Sequence, residues 1–134
     1  MENNQSFVHF KNGRVVKGTN NGMELLGHFL VSQVGGKPDF FLEWLKHPEE
    51  GEISSGSYVL LKKSNFIELD HLERRMAVPF EISKEQFLHI LTSWKGLCNS
   101  AAHSVCHPGG YEVMLYRSSD GTRFTFHTCK GEND

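Results

Sequence analysis

The sequence predicts an α+β fold, in which a single domain over residues 1–134 has a mostly antiparallel β-sheet with one or two helices packed on one face. Three observations lead to this expectation. Short apolar segments flank a turn at Asn12-Gly13, and others flank a second turn at 118–121. Between them, residues 83–94 carry the capping signals of an amphipathic helix. A chain of 134 residues can bury a core without disulfides or metal.

The N-terminal third is predicted to begin with a β-hairpin, because Asn12 and Gly13 both tolerate the positive φ values of a tight turn. Residues 22–34 fit either a helix or a strand, since their apolar spacing matches both periods. Asp39 is the expected N-cap of a helix over 40–47. That helix would place four apolar side chains on one face: Phe40, Phe41, Trp44 and Leu45. Residues 49–56 are interpreted as an exposed acidic loop.

The rest of the chain supplies further strands and the clearest helix. Apolar and aromatic residues bounded by turn signals predict strands over 58–62, 66–72, 76–80, 111–116 and 123–129. The helix is predicted within 80–94, where Ser83 and Gln86 form a capping box. Ile82 and Phe87 provide the hydrophobic staple of the same helix start.

Composition excludes several classes of function. The formal charge of −2 argues against a general nucleic-acid binder, and no apolar run approaches the roughly 18 residues of a membrane span. No glycine-rich phosphate motif follows a strand. The 3 cysteines form no framework, and no signal peptide is recognised, so we expect free thiols in a reducing cytoplasm. No spacing selects a catalytic pair, so we expect no enzyme and no cofactor.

A pattern rich in histidine and cysteine near the C-terminus permits an alternative. His103, Cys106 and His107 would form one group of ligands, and His127 with Cys129 a second group on a predicted strand. Such a cluster would suit a small metal-binding or hydrolytic protein. The spacing matches known zinc motifs weakly, and the same residues suit a loop and apolar packing. We therefore expect no metal site and keep the cluster as the alternative.

Carboxylates form the other candidate site. Glu49, Glu50 and Glu52 lie in the predicted acidic loop, and Asp70 with Glu73 follows the central strands. Carboxylates on a surface usually serve solubility. A cluster of them can also attract a basic partner protein, because complementary charge speeds encounter and fixes register. These five residues are the predicted partner-binding site.

One part of the chain resembles a known family. Residues 58–63, then 65–69, then the stretch 79–91 followed by Trp94, resemble small bacterial immunity proteins of contact-dependent inhibition and related polymorphic toxin systems. The resemblance spans roughly residues 58–129. It implies a cytosolic antidote that neutralises one cognate toxin domain, such as a nuclease, by covering its active site or an exosite. It transfers this role but no site residues.

Overall fold

The computed structural model describes residues 6–11, 14–35, 38–73, 79–99 and 112–129, leaving aside the side chains of residues 98, 99 and 129. Within these residues, eight strands form two antiparallel sheets, and three α-helices and a π-helical turn complete the fold. The α+β prediction is confirmed, with two four-stranded sheets where the sequence suggested a single sheet.

The first sheet contains strands of both chain ends, in the order β2-β1-β7-β8. Its strands are β1 (Ser6–Lys11), β2 (Arg14–Gly18), β7 (Glu112–Arg117) and β8 (Phe124–Cys129). The second sheet is a meander of consecutive strands, β3 (Gly51–Ser55), β4 (Tyr58–Lys62), β5 (Phe66–His71) and β6 (Phe80–Ser83). Both predicted terminal hairpins and the predicted central strand pair are therefore confirmed.

Helices α1 (Asn21–Phe29) and α3 (Lys84–Asn99) each contact strands of both sheets, so they lie between the inner faces of the sheets. Helix α2 (Asp39–Lys46) packs on α3. Aromatic rings join the layers. The ring centroid of Phe29 in α1 lies 5.6 Å from that of Tyr58 in β4, and that of Trp94 in α3 lies 5.0 Å from that of Phe10 in β1. The outer face of each sheet is consequently left without a helix against it among the described residues.

The ambiguous segment 22–34 is helical. Asn20 caps α1 by accepting a hydrogen bond from the Met23 amide at 2.9 Å, and a π-helical turn over Leu30–Val34 continues the helix. Gly27 suits the helix because α1 lies against the first sheet. A Cβ atom at Gly27 would come within 2.7 Å of the Val8 side chain, so the close approach requires glycine.

Three boundary predictions need correction. Asp39 is the first residue of α2, and Pro38 occupies the N-cap position without a side-chain cap. The Asp39 carboxylate instead lies 3.2 Å from the ammonium of Lys95. Phe40 does not share a buried face with Phe41, because its side chain is 60% exposed while Phe41 packs in the core. The supposed acidic loop begins the second sheet, since residues from Gly51 onward form β3, and Gly56 closes the β3–β4 hairpin with φ +58°.

The long helix starts where its capping signal predicts, at Lys84 directly after Ser83, and residues Phe80–Ser83 before it form strand β6. The Ser83 hydroxyl oxygen accepts a hydrogen bond from the Gln86 amide at 3.1 Å, as a capping box requires. The Gln86 side chain instead accepts a hydrogen bond from the Phe124 amide at 2.9 Å, which ties α3 to β8. Residues 76–78 of the predicted strand 76–80 lie outside the described residues.

Candidate protein-binding face

The outer face of the second sheet carries a row of carboxylates. Antiparallel pairing sets Glu52 opposite Leu61, Leu61 opposite Glu68, and Glu68 opposite Glu81. Residues directly opposite one another in a sheet project to the same side. The row therefore runs across all four strands, with Glu52 and Glu81 exposed at its ends and Leu61 and Glu68 half-buried between them.

Neighbouring rows on this side add one carboxylate and two apolar residues. Val59 is paired with Asp70 and lies two residues from Leu61, so both share the outer side. Phe66 lies two residues from Glu68 and is paired with Ser83 of β6. We call the resulting surface the acidic face. It comprises Glu52, Val59, Leu61, Phe66, Glu68, Asp70 and Glu81.

The five residues predicted from the sequence do not form one cluster. Glu52 and Asp70 lie together on the acidic face, and an Asp70 carboxylate oxygen also accepts a hydrogen bond from the His71 amide at 2.8 Å. Glu49 and Glu50 are exposed before the first residue of β3, whereas Glu73 is exposed beyond the far end of β5. A five-residue strand separates these two ends by about 14 Å.

Two carboxylates of the acidic face were missing from the predicted site. Glu68 carried a usable signal, because Ile67, Glu68 and Leu69 alternate between apolar and charged. Glu81 carried no such signal, because it lies between the predicted strand 76–80 and the predicted N-cap Ser83. The structure pairs Glu81 with Glu68, and this pairing is what brings Glu81 to the acidic face.

Three carboxylates of the acidic face, those of Glu52, Glu68 and Glu81, form no salt bridge in the described part of the chain. There, the salt bridges join Glu112 to His9 and Lys11, Glu43 to Lys46, and Asp39 to Lys95, and all lie away from this face. The Arg117 guanidinium instead donates a 3.3 Å hydrogen bond to the main-chain carbonyl oxygen of Glu81. Burial against aromatic rings lowers the pKa of Arg117, although the Glu81 charge opposes this shift.

A buried lysine supports the segment that carries Glu49 and Glu50. Lys62 in β4 is only 1% exposed, and its ammonium donates hydrogen bonds to the carbonyl oxygens of Trp44 and, at 2.7 Å, His47. The same ammonium lies 4.8 Å from the centroid of the Trp44 ring. Burial lowers the pKa of Lys62, Lys84 lowers it further, and the charge of Glu49 acts in the opposite direction. Lys62 thus anchors the C-terminal end of α2, from which the acidic segment leaves.

The alternative histidine–cysteine cluster falls largely outside the described residues, which exclude His103, Cys106 and His107. Nothing is described of the Cys129 side chain, and His127 is exposed with its ring 5.4 Å from that of Tyr116. Among the described residues, no group of three or more His, Cys, Asp or Glu side chains is placed to hold a metal ion.

Comparison of the chain with protein-family models, with curated proteins and with solved structures finds no match. None of the helices that the structure describes combines the length and apolar character needed to cross a membrane.

Proposed function

We propose that this protein is a non-enzymatic, cytosolic immunity protein that binds a cognate bacterial toxin domain and neutralises it by forming a complex. The observation that carries the proposal is the acidic face, a four-stranded sheet surface on which carboxylates alternate with half-buried apolar residues. The resemblance of residues 58–129 to immunity proteins supplies the expected kind of partner.

The charge of the acidic face suits a basic partner. Glu52, Glu68 and Glu81 lie in one row, without ion-pair partners among the described residues. A nuclease domain presents a basic surface because its substrate is a polyanion. Carboxylates that cover such a surface would steer the encounter and compete with the phosphates of the substrate.

The apolar residues of the acidic face suit a protein interface. Val59, Leu61 and Phe66 are half-buried on this side, so a partner that covers them would remove the rest of their surface from water. Charged residues surround them, in the usual arrangement of an apolar centre with a polar rim.

The size of the acidic face indicates how far the interface must extend. Four strands spaced by about 4.8 Å, each with about five residues, give a footprint of roughly 300 Å². A standard interface buries about 800 Å² on each partner. The toxin would therefore also contact the ends of the sheet, where Glu49 and Glu50 lie on one side and Glu73 on the other.

The first experiment expresses candidate nuclease toxin domains from genes adjacent to that of this protein, each with and without the protein. Growth rescue that accompanies a stable complex is the expected result. Absence of both rescue and complex formation would overturn the assignment of an antidote for that pair.

A second experiment tests the face itself. Glu52→Lys combined with Glu68→Lys should slow association by on the order of 10-fold or more at low salt, since electrostatic steering accelerates encounter by about 10- to 1,000-fold. The matched control, Glu43→Lys with Glu85→Lys, changes the net charge equally at exposed helical positions. Equal slowing by both pairs, with circular dichroism unchanged, would show that net charge rather than this face controls binding.

A further inference from the structure

The outer face of the first sheet has a different chemistry from the acidic face. Alternation directs Val8 and Phe10 of β1 into the core, so Phe7, His9 and Lys11 project to the other side. The register pairs Phe7 with Tyr116, and it sets His9 and His127 on either side of Met114. We call this surface the cationic face and define it by Phe7, Lys11, Arg14, Lys17, Tyr116 and His127.

Aromatic rings occupy the middle of the cationic face. Phe7 and Tyr116 lie on the two central strands, with ring centroids 6.2 Å apart in an edge-to-face arrangement. The His127 ring on β8 extends the series, 5.4 Å from the Tyr116 ring. The ammonium of Lys17 lies over the Phe7 ring, 5.9 Å from its centroid, so a cation lies directly beside these rings.

Cations predominate around these rings. Lys11, Arg14 and Lys17 are exposed, and neither Arg14 nor Lys17 forms an ion pair in the described part of the chain. Among the described residues of this face, Glu112 is the one carboxylate that forms salt bridges, with the His9 ring at 2.9 Å and the Lys11 ammonium at 3.4 Å. The hydrogen bond from His9 is the largest cause that lowers the pKa of Glu112, so Glu112 stays ionised and offsets one cation.

We propose that the cationic face binds single-stranded nucleic acid, with bases stacked on Phe7, Tyr116 and His127 and phosphates contacted by Lys11, Arg14 and Lys17. His127 is exposed, and Phe7 and Tyr116 are half-buried. Stacking of bases on aromatic rings, combined with contacts from cations to the phosphates, is the general mode of single-strand binding. A duplex keeps the faces of its bases inside the stack, so it would not use the rings. This activity is separate from the proposed antidote function.

The net charge of −2 led to the opposite expectation. Net charge is an average over the whole surface. In this fold the carboxylates of the second sheet and the cations of the first sheet lie on different outer faces, so the average conceals a cationic surface.

The test measures fluorescence anisotropy of a labelled single-stranded RNA of about eight nucleotides, within the usual site size. A hairpin duplex and a labelled poly-glutamate peptide serve as competing probes. Because Glu112 offsets one of the three cations, two net phosphate contacts give a slope of log K against log salt near −1.4, so binding should weaken about 7-fold between about 50 and 200 mM salt. Binding of the RNA above both other probes is the expected result.

Variants separate stacking from general attraction. Phe7→Leu and Tyr116→Leu should each weaken binding by about 5- to 150-fold, as loss of one stacked base predicts. Phe66→Leu is the matched control, because Phe66 is a half-buried aromatic residue on the opposite outer face. Lys17→Gln alters only an exposed side chain and should reduce the salt slope by about 0.7, whereas Lys46→Gln on α2 should leave it unchanged.

Several results would overturn the proposal. These are absence of RNA binding at low salt, equal or tighter binding of the duplex, and preferential binding of poly-glutamate, which would identify the face as a site for acidic proteins. Unchanged affinity in the Phe7 and Tyr116 variants, once circular dichroism has shown that they fold, would equally exclude stacking.

Discussion

Replacing Lys62 with methionine should destabilise the protein by about 2 kcal/mol. Methionine has a similar length and volume, so the substitution leaves no large cavity and removes chiefly the ammonium group. The ammonium donates a hydrogen bond to the carbonyl oxygen of Trp44, and it is the only donor from another element that the structure describes for this oxygen. It also donates a hydrogen bond to the carbonyl oxygen of His47. Both acceptors lie at the C-terminal end of α2, where the Trp44 carbonyl oxygen otherwise accepts only the 3.3 Å hydrogen bond from the His47 amide among the described residues.

The magnitude is a difference between opposing terms. Two hydrogen bonds from a charged donor contribute about 1.5–3 kcal/mol each, and contact of the ammonium with the Trp44 ring adds about 1 kcal/mol. Methionine also relieves the cost of keeping an ammonium away from water, which is several kcal/mol. This relief is substantial, because Lys62 is 1% exposed and no carboxylate is bonded to its ammonium among the described residues. The difference between the lost contacts and the relief is a loss of about 2 kcal/mol in the free energy of unfolding.

The assay is equilibrium unfolding in urea at neutral pH, with the midpoint and the m-value fitted separately. Lys63→Met is the matched control. Lys63 is the next residue along the chain and only half-buried, so its substitution should change the free energy of unfolding by less than about 0.5 kcal/mol. Equal stability of Lys62→Met and wild type would refute the argument that this ammonium holds the end of α2.

The pH dependence gives an independent check on Lys62. Burial lowers its pKa in the folded state, so between the folded and unfolded values the unfolded chain binds the proton more tightly. The free energy of unfolding therefore gains a contribution that rises with pH in this window. The stability of the wild type relative to Lys62→Met should increase as the pH rises towards the ordinary lysine pKa of 10.5. A constant difference would contradict a lowered pKa.

Two further predictions concern packing and a turn. A Cβ atom at Gly22 would lie 2.4 Å from the Phe80 ring, so Gly22→Ala should destabilise the protein by about 1–3 kcal/mol in urea unfolding. A Cβ atom at Gly96 would have no atom within 4 Å, so the control Gly96→Ala should stabilise the protein by up to about 1 kcal/mol. Equal effects of the two substitutions would contradict the predicted clash. Hydrogen bonds, first from the Ser118 hydroxyl and then from Thr122, lower the pKa of Asp120 to about 2. The stabilisation by Asp120 should thus be present above pH 4 and lost as the pH falls through about 2, and thermal melts of Asp120→Asn should lack this loss.

Local signals sufficed where the interactions that form an element lie within a few residues. The turn signal at 12–13 predicts the observed antiparallel pairing of β1 with β2. The turn signal at 118–121 lies within the six residues 118–123 that join β7 to β8, where Gly121 has φ +77°. The hydrogen bond that caps α3 joins residues only three positions apart, so Ser83 and Gln86 could be recognised in the sequence.

Distant pairing decided the elements that sequence reasoning assigned wrongly. Glu52 lies in a strand because its segment pairs with β4, although its own composition resembles a loop. Glu81 lies in a strand because residues Phe80–Ser83 pair with β5, although they directly precede a well-capped helix. In both segments, hydrogen bonds and core contacts from another part of the chain outweigh the weaker local preference.

The sequence by itself determined that the chain is α+β, where its hairpins turn and where its long helix is capped. It also supplied the carboxylates and the cations, but not their arrangement. Only the tertiary structure decided that the strands divide into two sheets, with Glu52, Glu68 and Glu81 in one row on one outer face and Lys11, Arg14 and Lys17 on the other. The physical reason is that side-chain direction alternates locally along a strand, whereas the choice of neighbouring strand and its register depends on contacts between distant residues.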